Sequence, residues 1–181
     1  MSGTANEAVA IRRVAGDEAL ALVPALAALL VDCVDGGASV SFMAPLALSR
    51  AEAFWRGVAE GVRAGDRALL VAQEADGTVL GTVQLLLGLP ENQPHRADVA
   101  KMLVLRRARR RGLAQRLLDA LDAVARAERR EVLVLDTVTG GDAERLYARS
   151  GWLRVGAVPR YALMPDGTPC GTTFFYKQLA R

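Results

Sequence analysis

At 181 residues, 51% hydrophobic and 24% charged, the chain has the composition of one folded globular domain, spanning 1–181, with ample apolar residues for a core. A net charge of +3 argues against a surface built to coat nucleic acid, two cysteines make no disulfide framework and suit a reducing cytoplasm, and a single histidine argues against a protein-built zinc site. The apolar run Ala19 to Val31 is too short to cross a bilayer and lacks a following cleavage signal, so it reads as a buried helix of a cytoplasmic protein without a membrane partner.

Ala8 to Val14 reads as a first strand. Asp17 is a candidate N-cap for a helix reaching about Asp35, where Gly36 and Gly37 end it. A second helix is expected from Ser49, as N-cap, to about Ala64, with Phe54, Trp55, Val58 and Val62 as its apolar stripe and Gly65 after its end. Phe42 and Met43 lie in the loop between the helices and are assigned to packing rather than to a pocket. Arg67 to Gln73 and Thr78 to Leu87 form a hairpin about Ala75-Asp76-Gly77, since Asp-Gly between apolar runs favours a tight turn. Gly88 to Arg96 is a polar loop with two prolines; His95 sits in it and reads as a surface residue.

Asp98 to Asp136 then reads strand, basic loop, amphipathic helix, strand. The strands are Asp98 to Leu105 and Val132 to Asp136; the helix runs from about Gly112 to Glu128 with Leu113, Leu117, Leu118, Leu121 and Val124 on one face. Strands joined through a helix form a parallel pair with a right-handed crossover. Six arginines crowd the loop and first helical turn (Arg106, Arg107, Arg109, Arg110, Arg111 and Arg116). A helix N-terminus has unpaired N–H groups and a partial positive charge, so it seats phosphate. The backbone N–H groups of Arg109 to Gln115 are expected to hold a pyrophosphate, with arginine side chains adding charge. Asp142 to Ser150 is a short helix, Trp152 to Val158 a strand that Tyr161 to Met164 can extend past Pro159, Pro165-Asp166-Gly167 a turn, and Thr172 to Leu179 the last strand. Tyr161, Phe174, Phe175 and Tyr176 suit either the core or a pocket wall.

In that order of elements, Arg109-Arg110-Arg111-Gly112-Leu113-Ala114 resembles the cofactor loop of the GNAT acetyltransferase superfamily: Arg or Gln, two residues, Gly, one residue, then Gly or Ala. Many members carry glycine where this chain has Arg110. Met102-Leu103-Val104 resembles the strand that hydrogen-bonds the pantetheine arm, and Ala143 to Tyr147 with Gly151-Trp152 resembles the family's following helix and strand. The segments Leu135 to Tyr147, Val158 to Gly167 and Thr173 to Leu179 look most like the tabtoxin-resistance type, which acetylates an amino-acid-like β-lactam.

The resemblance implies an α+β (mixed α/β) single domain. Its central sheet is mostly antiparallel with one parallel pair, helices cover both faces, and the cofactor core spans about 97–165. It implies acetyl-CoA as cosubstrate, no metal, a small-molecule amine as acceptor, no nucleic-acid partner and a homodimer as one possible assembly. The cofactor residues it implies are Met102, Leu103, Val104, Arg109, Arg110, Arg111, Gly112, Leu113, Ala114, Gln115 and Tyr147. Asp98 and Asp136 are the candidate bases. Asp98 stands where many relatives have an acidic residue, and Asp136 at the carboxyl end of a strand, where open α/β sheets bind ligands. Tyr147 is the candidate acid for the leaving thiolate, its hydroxyl being protonated at neutral pH. Acetylation of a protein N-terminus or lysine, acyl-CoA sensing without catalysis, and nucleic-acid binding through the arginines are the competing readings.

Overall fold

Apolar alternation along the strands sorts side chains into two cores, one on each face of a single sheet. In the computed structural model, which describes residues 9–180, β1 (Ala10–Arg13), α1 (Gly16–Ala19), α2 (Val23–Asp35) and α3 (Leu48–Ala64) come first. β2 (Arg67–Gln73), β3 (Val79–Leu86), β4 (Arg96–Val104), α4 (Leu113–Ala127), β5 (Val132–Val138), α5 (Asp142–Arg149), β6 (Leu153–Leu163) and β7 (Pro169–Gln178) follow. The strand order is β1-β2-β3-β4-β5-β7-β6. All neighbours run antiparallel except β4 and β5, the parallel pair expected from the crossover.

Period-two alternation in β2 shows the layering. Ala68, Leu70 and Ala72 join the core beneath α4 and α5, while Leu69 and Val71 join the core beneath α1, α2 and α3. Leu117, Leu118 and Leu121 of α4 are at most 1% exposed, and each such burial stabilises the fold by roughly 1.5–3 kcal/mol relative to exposure. Among the described residues no helix is long and apolar enough to cross a membrane, and the run Ala19 to Val31 packs one face in the core beneath the sheet through Val23, Leu26, Ala27, Leu29 and Leu30 while Leu20 is exposed.

Three boundaries differ from expectation. The helix expected from Asp17 to Asp35 is two helices, because Pro24 stands in the first turn of α2; a continuous helix would lose a hydrogen bond there and drive the ring into the preceding turn. Asp17 therefore lies inside α1, whose N-cap is Ala15. Likewise Ala47, not Ser49, is the N-cap of α3 and makes no side-chain cap bond; burial of Leu46 and Ala51 sets this start by packing. Finally, β6 continues past Pro159, where its pairing with β7 shifts register, and β7 begins at Pro169. The edge strand β6 tolerates proline, since one side needs no N–H donor, and in the interior strand β7 proline stands at the first position.

Candidate active site

Of the several register shifts in the sheet, the one in β4 bears most directly on the site. Thr82 pairs with Leu103 and Gln84 with Ala100, so one extra residue is inserted in β4 opposite Val83. Lys101 absorbs it with φ 52°, a left-handed conformation that costs a non-glycine residue roughly 1–2 kcal/mol. The bulge reverses the strand's faces. Ala97 and Val99 pack on the α4 side, yet Leu103 packs on the α2–α3 side, while Met102 and Val104 turn toward α4. Parallel pairing with β5 stops at Asp98 opposite Val134. Beyond it β5 continues against β7 alone, leaving the β5-facing edge of Val99 to Val104 without a ladder partner. Irregular backbone of this kind is tolerated beside a site that uses it.

The basic loop follows directly. Arg110 has φ 61° and Gly112 φ 74°, so the position where relatives often carry glycine is one where glycine is free of strain. From Arg110 to Gln115 no backbone N–H has a backbone acceptor among the described residues, and the α4 N-cap, Gly112, offers no side chain. These groups converge at a helix N-terminus, which suits phosphate oxygens. The arginine side chains are largely committed elsewhere. Arg109 Nε donates to the Val104 carbonyl at 3.3 Å, Arg111 lies 3.8 Å from Glu74, Arg106 Nε donates to Asp32 at 2.9 Å, and Arg116 donates to the Val9 carbonyl at 2.5 Å. The seat is thus a backbone feature, with the Arg109 and Arg111 guanidinium groups tied to protein rather than turned to an anion. Leu113 is buried, Ala114 packs against the α4 core, and Gln115 accepts from Ser150 Oγ at 2.7 Å, joining the start of α4 to the end of α5.

On the sheet's other side a cleft of about 350 Å³ opens beside the carboxyl end of β5. Asp136, Thr137 and Val138 form its floor; Ser41, Phe42 and Met43 of the α2–α3 loop and Tyr161 of β6 form its walls. The Ala44 N–H donates to the Pro165 carbonyl at 3.0 Å and Ser39 Oγ to the Leu163 carbonyl at 2.8 Å, which draws the two walls together. Phe42 also packs edge-on against Phe54 at 5.3 Å, so it both packs and lines the cleft. A further register shift, between Val158 and Ala162 of β6, leaves Tyr161 against Phe174 at 5.7 Å, whereas Phe175 is core at 1% exposed.

The candidate acid–base residues are placed differently. Asp136 is exposed in the cleft, two residues past the last paired residue of β5 in the parallel ladder. Tyr147 is 5% exposed, packed on Trp152 at 5.8 Å and Phe175 at 6.1 Å. Burial, with the Asp136 charge adding to it, raises its hydroxyl well above the ordinary tyrosine range, so it stays a proton donor. Asp98 sits at the closed end of the pair and forms an ion pair with Arg96. Lys101, which nothing in the sequence marked, is turned by the bulge toward Ser41 on the cleft wall. Its Nζ bonds Ser41 Oγ at 3.1 Å, and burial lowers its pKa against the opposing pull of Asp136. Among the described residues no group of three or more His, Cys, Asp or Glu could hold a metal.

Residues 41–152 match the model of the acetyltransferase (GNAT) family. The chain is 36% identical over 107 residues to an uncharacterized N-acetyltransferase of the hisH-hisA intergenic region of Azospirillum brasilense; the match spans 58% of this chain and 61% of that relative. The fold is shared with an N-acetyltransferase from Staphylococcus aureus (TM-score 0.76, 19% identity, 96% of this chain and 99% of that one). It is shared as well with a ribosomal-protein-alanine N-acetyltransferase from Brucella melitensis (TM-score 0.74, 24% identity, 94% and 99%). A Salmonella typhimurium protein solved with its cofactor acetyl-CoA superposes with TM-score 0.75 at 18% identity over 96% of this chain and 95% of that one. With the parted β4–β5 pair and the glycine-capped helix at its mouth, the family match over most of the chain leads to one conclusion: this chain belongs to the GNAT acetyltransferase family.

Proposed function

We propose that the protein transfers the acetyl group of acetyl-CoA to the primary amine of a small molecule. The observation that carries this reading is the unsatisfied N–H run from Arg110 to Gln115 beside the unpaired edge of β4. That pairing fits a ligand with a pyrophosphate at one end and an amide-bearing arm at the other. Met102, Leu103 and Val104 would align the arm, and Arg109 to Gln115 the pyrophosphate. Acetyl-CoA supplies an activated acyl thioester. Asp136 takes up the acceptor's ammonium proton, directly or through water, and Tyr147 donates a proton to the departing sulfur. Asp98, already neutralised by Arg96, is the weaker candidate for the base. A small molecule suits a cleft of about 350 Å³ walled on two sides. Arginines tied to Asp32, Glu74 and backbone carbonyls count against nucleic acid as the partner.

The test is thermal unfolding with acetyl-CoA, CoA and free ATP, followed by thiol release with an amine panel. Acetyl-CoA and CoA should raise the melting temperature by mass action. Tyr147→Phe should keep that shift and lower turnover by roughly a hundredfold or more. Absence of any shift at millimolar acetyl-CoA would defeat the reading, and unchanged turnover would remove Tyr147 as the acid.

A further inference from the structure

Lys101 is a cation with an unusual environment. The bulge holds its backbone in the left-handed region and turns its side chain to the cleft side of β4. Its ammonium lies 5.5 Å from the Phe54 ring centre and 6.0 Å from that of Phe42. Its hydrogen-bond partner, Ser41 Oγ, belongs to a second left-handed residue, with φ 77°. Two strained residues from separate elements therefore meet at one bond on the cleft wall. Among the described residues no carboxylate lies within ion-pair distance of Lys101 Nζ. Asp136 acts on it only from farther off, and the other charge that acts on it, Arg67, is also positive. On the neighbouring strand, Gln84 is fully buried and accepts from Arg67 at 2.9 Å, which fixes its amide so that Nε2 faces no acceptor. The region around Lys101 thus has donors in excess, whereas a half-buried cation is favourable only when an anion completes it.

We propose that Lys101 is a specificity-determining residue that seats a carboxylate of the acceptor, so that the preferred substrate is an amine that also carries an acid group. The assignment rests on the acetyl-transfer reading. Asp136 lines the cleft, and Lys101 reaches its wall through the bond to Ser41 Oγ, so an anionic and a cationic group stand at one site with the serine hydroxyl as a further donor. A zwitterion satisfies both poles at once, whereas a plain amine leaves the ammonium without its anion. A residue that only balanced Asp136 would not distinguish an acid from its amide.

The experiment compares L-glutamine, L-methionine and L-lysine, each against its α-carboxamide, with wild type, Lys101→Met and Lys101→Arg. It reads thiol release from acetyl-CoA and melting temperature under saturating CoA. Wild type should favour the acid in at least one pair by roughly tenfold or more in kcat/KM, mainly through KM, as expected for a charged hydrogen bond. Lys101→Met should bring the acid-to-amide ratio close to one, Lys101→Arg should restore part of it, and both should keep the CoA-induced shift. Ser41→Ala, on an exposed loop, should lower the same ratio and serves if Lys101→Met does not fold. Equal response to acid and amide in every wild-type pair, or a preference that survives loss of Lys101, overturns the proposal. A wild-type protein whose melting temperature ignores acetyl-CoA overturns the transfer reading and takes this assignment with it.

Discussion

Four non-glycine residues with left-handed backbone stand around the candidate site: Ser41, Lys101, Arg110 and Arg160, the last beside Tyr161 in the β6 bulge. Arg110 allows the cleanest test, because its φ of 61° is open to glycine without strain and no ion pair holds its guanidinium among the described residues. Arg110→Gly removes about 1–2 kcal/mol of strain and adds roughly 0.5–1 kcal/mol of unfolded-chain entropy. The net gain of up to about 1.5 kcal/mol should raise the melting temperature by up to about 3–6 °C in calorimetry, with KM for acetyl-CoA rising only a few-fold. A fall would show that the arginine side chain makes contacts worth more than the strain. Tyr147 gives a pH test. Its folded pKa is raised by burial and by Asp136, while the unfolded value is about 10. Its contribution to stability is fully present below that unfolded value and is lost as pH rises from there toward the higher folded one. Denaturant unfolding at about pH 8 and pH 10.5 should show a larger alkaline loss in wild type than in Tyr147→Phe. Asp136 and Tyr147 became candidates from a strand end and a resemblance. Lys101 could not become one, because strict alternation would put it on the same face as Val99; only the extra residue opposite Val83 turns it toward Ser41 on the cleft wall.

Elements carry the same division between local and cross-strand information. The Asp-Gly hairpin, the β4–α4–β5 crossover and the loop from Arg109 to Gln115 are written in contiguous residues, and so their type and order could be read directly. The parting of β4 from β5 could not be read from contiguous residues, since it depends on which residues of β3 and β7 take up the pairing. Pro24 was visible as an interruption, but the break it makes between α1 and α2 also depends on Ala19 and Val23 both being buried. Gly81 on β3 supports the bulged part of β4 from behind. A Cβ there would stand 2.9 Å from the Leu103 carbonyl oxygen and 3.3 Å from both Leu117 Cδ1 and Val104 Cγ2. Backbone cannot move aside as a flexible side chain can, so Gly81→Ala must push Leu103 and Val104 away from β3. Overpacking of this kind costs about 1–3 kcal/mol. We expect Gly81→Ala to lower the melting temperature and to weaken acetyl-CoA binding in calorimetric titration by more than the Arg110→Gly change does. Unaltered acetyl-CoA affinity would mean that the pantetheine arm does not use this stretch of β4.

At the scale of the whole molecule, the strand order leaves two sheet edges, β1 and β6. β1 is four residues long and carries Arg12 and Arg13, paired with Glu18 and Glu128; short, charged edges resist pairing. β6 is eleven residues long and exposes Leu153 (54%), Val155 (67%), Val158 (43%), Tyr161 (54%) and Leu163 (48%). Pro159 and the bulge before Ala162 interrupt the far half of this edge, whereas Leu153 to Val158 presents apolar side chains on an edge strand, a template for another strand, and a second copy related by two-fold symmetry offers the same strand in return. The expected assembly is therefore a homodimer with β6 at its interface. Wild type should elute with twice the monomer mass in light-scattering chromatography, and its melting temperature should rise with protein concentration. Val155→Lys combined with Leu153→Lys should give a monomer, because two desolvated ammonium groups without partners oppose any apolar gain. A wild-type monomer at about 100 μM would rule this assembly out. The result bears on the cleft as well, since Tyr161 and its bulge belong to the same strand as Val155. If pairing through β6 holds that wall in place, the lysine pair should raise KM for the acceptor while KM for acetyl-CoA, read on the far side of the sheet, stays where it was.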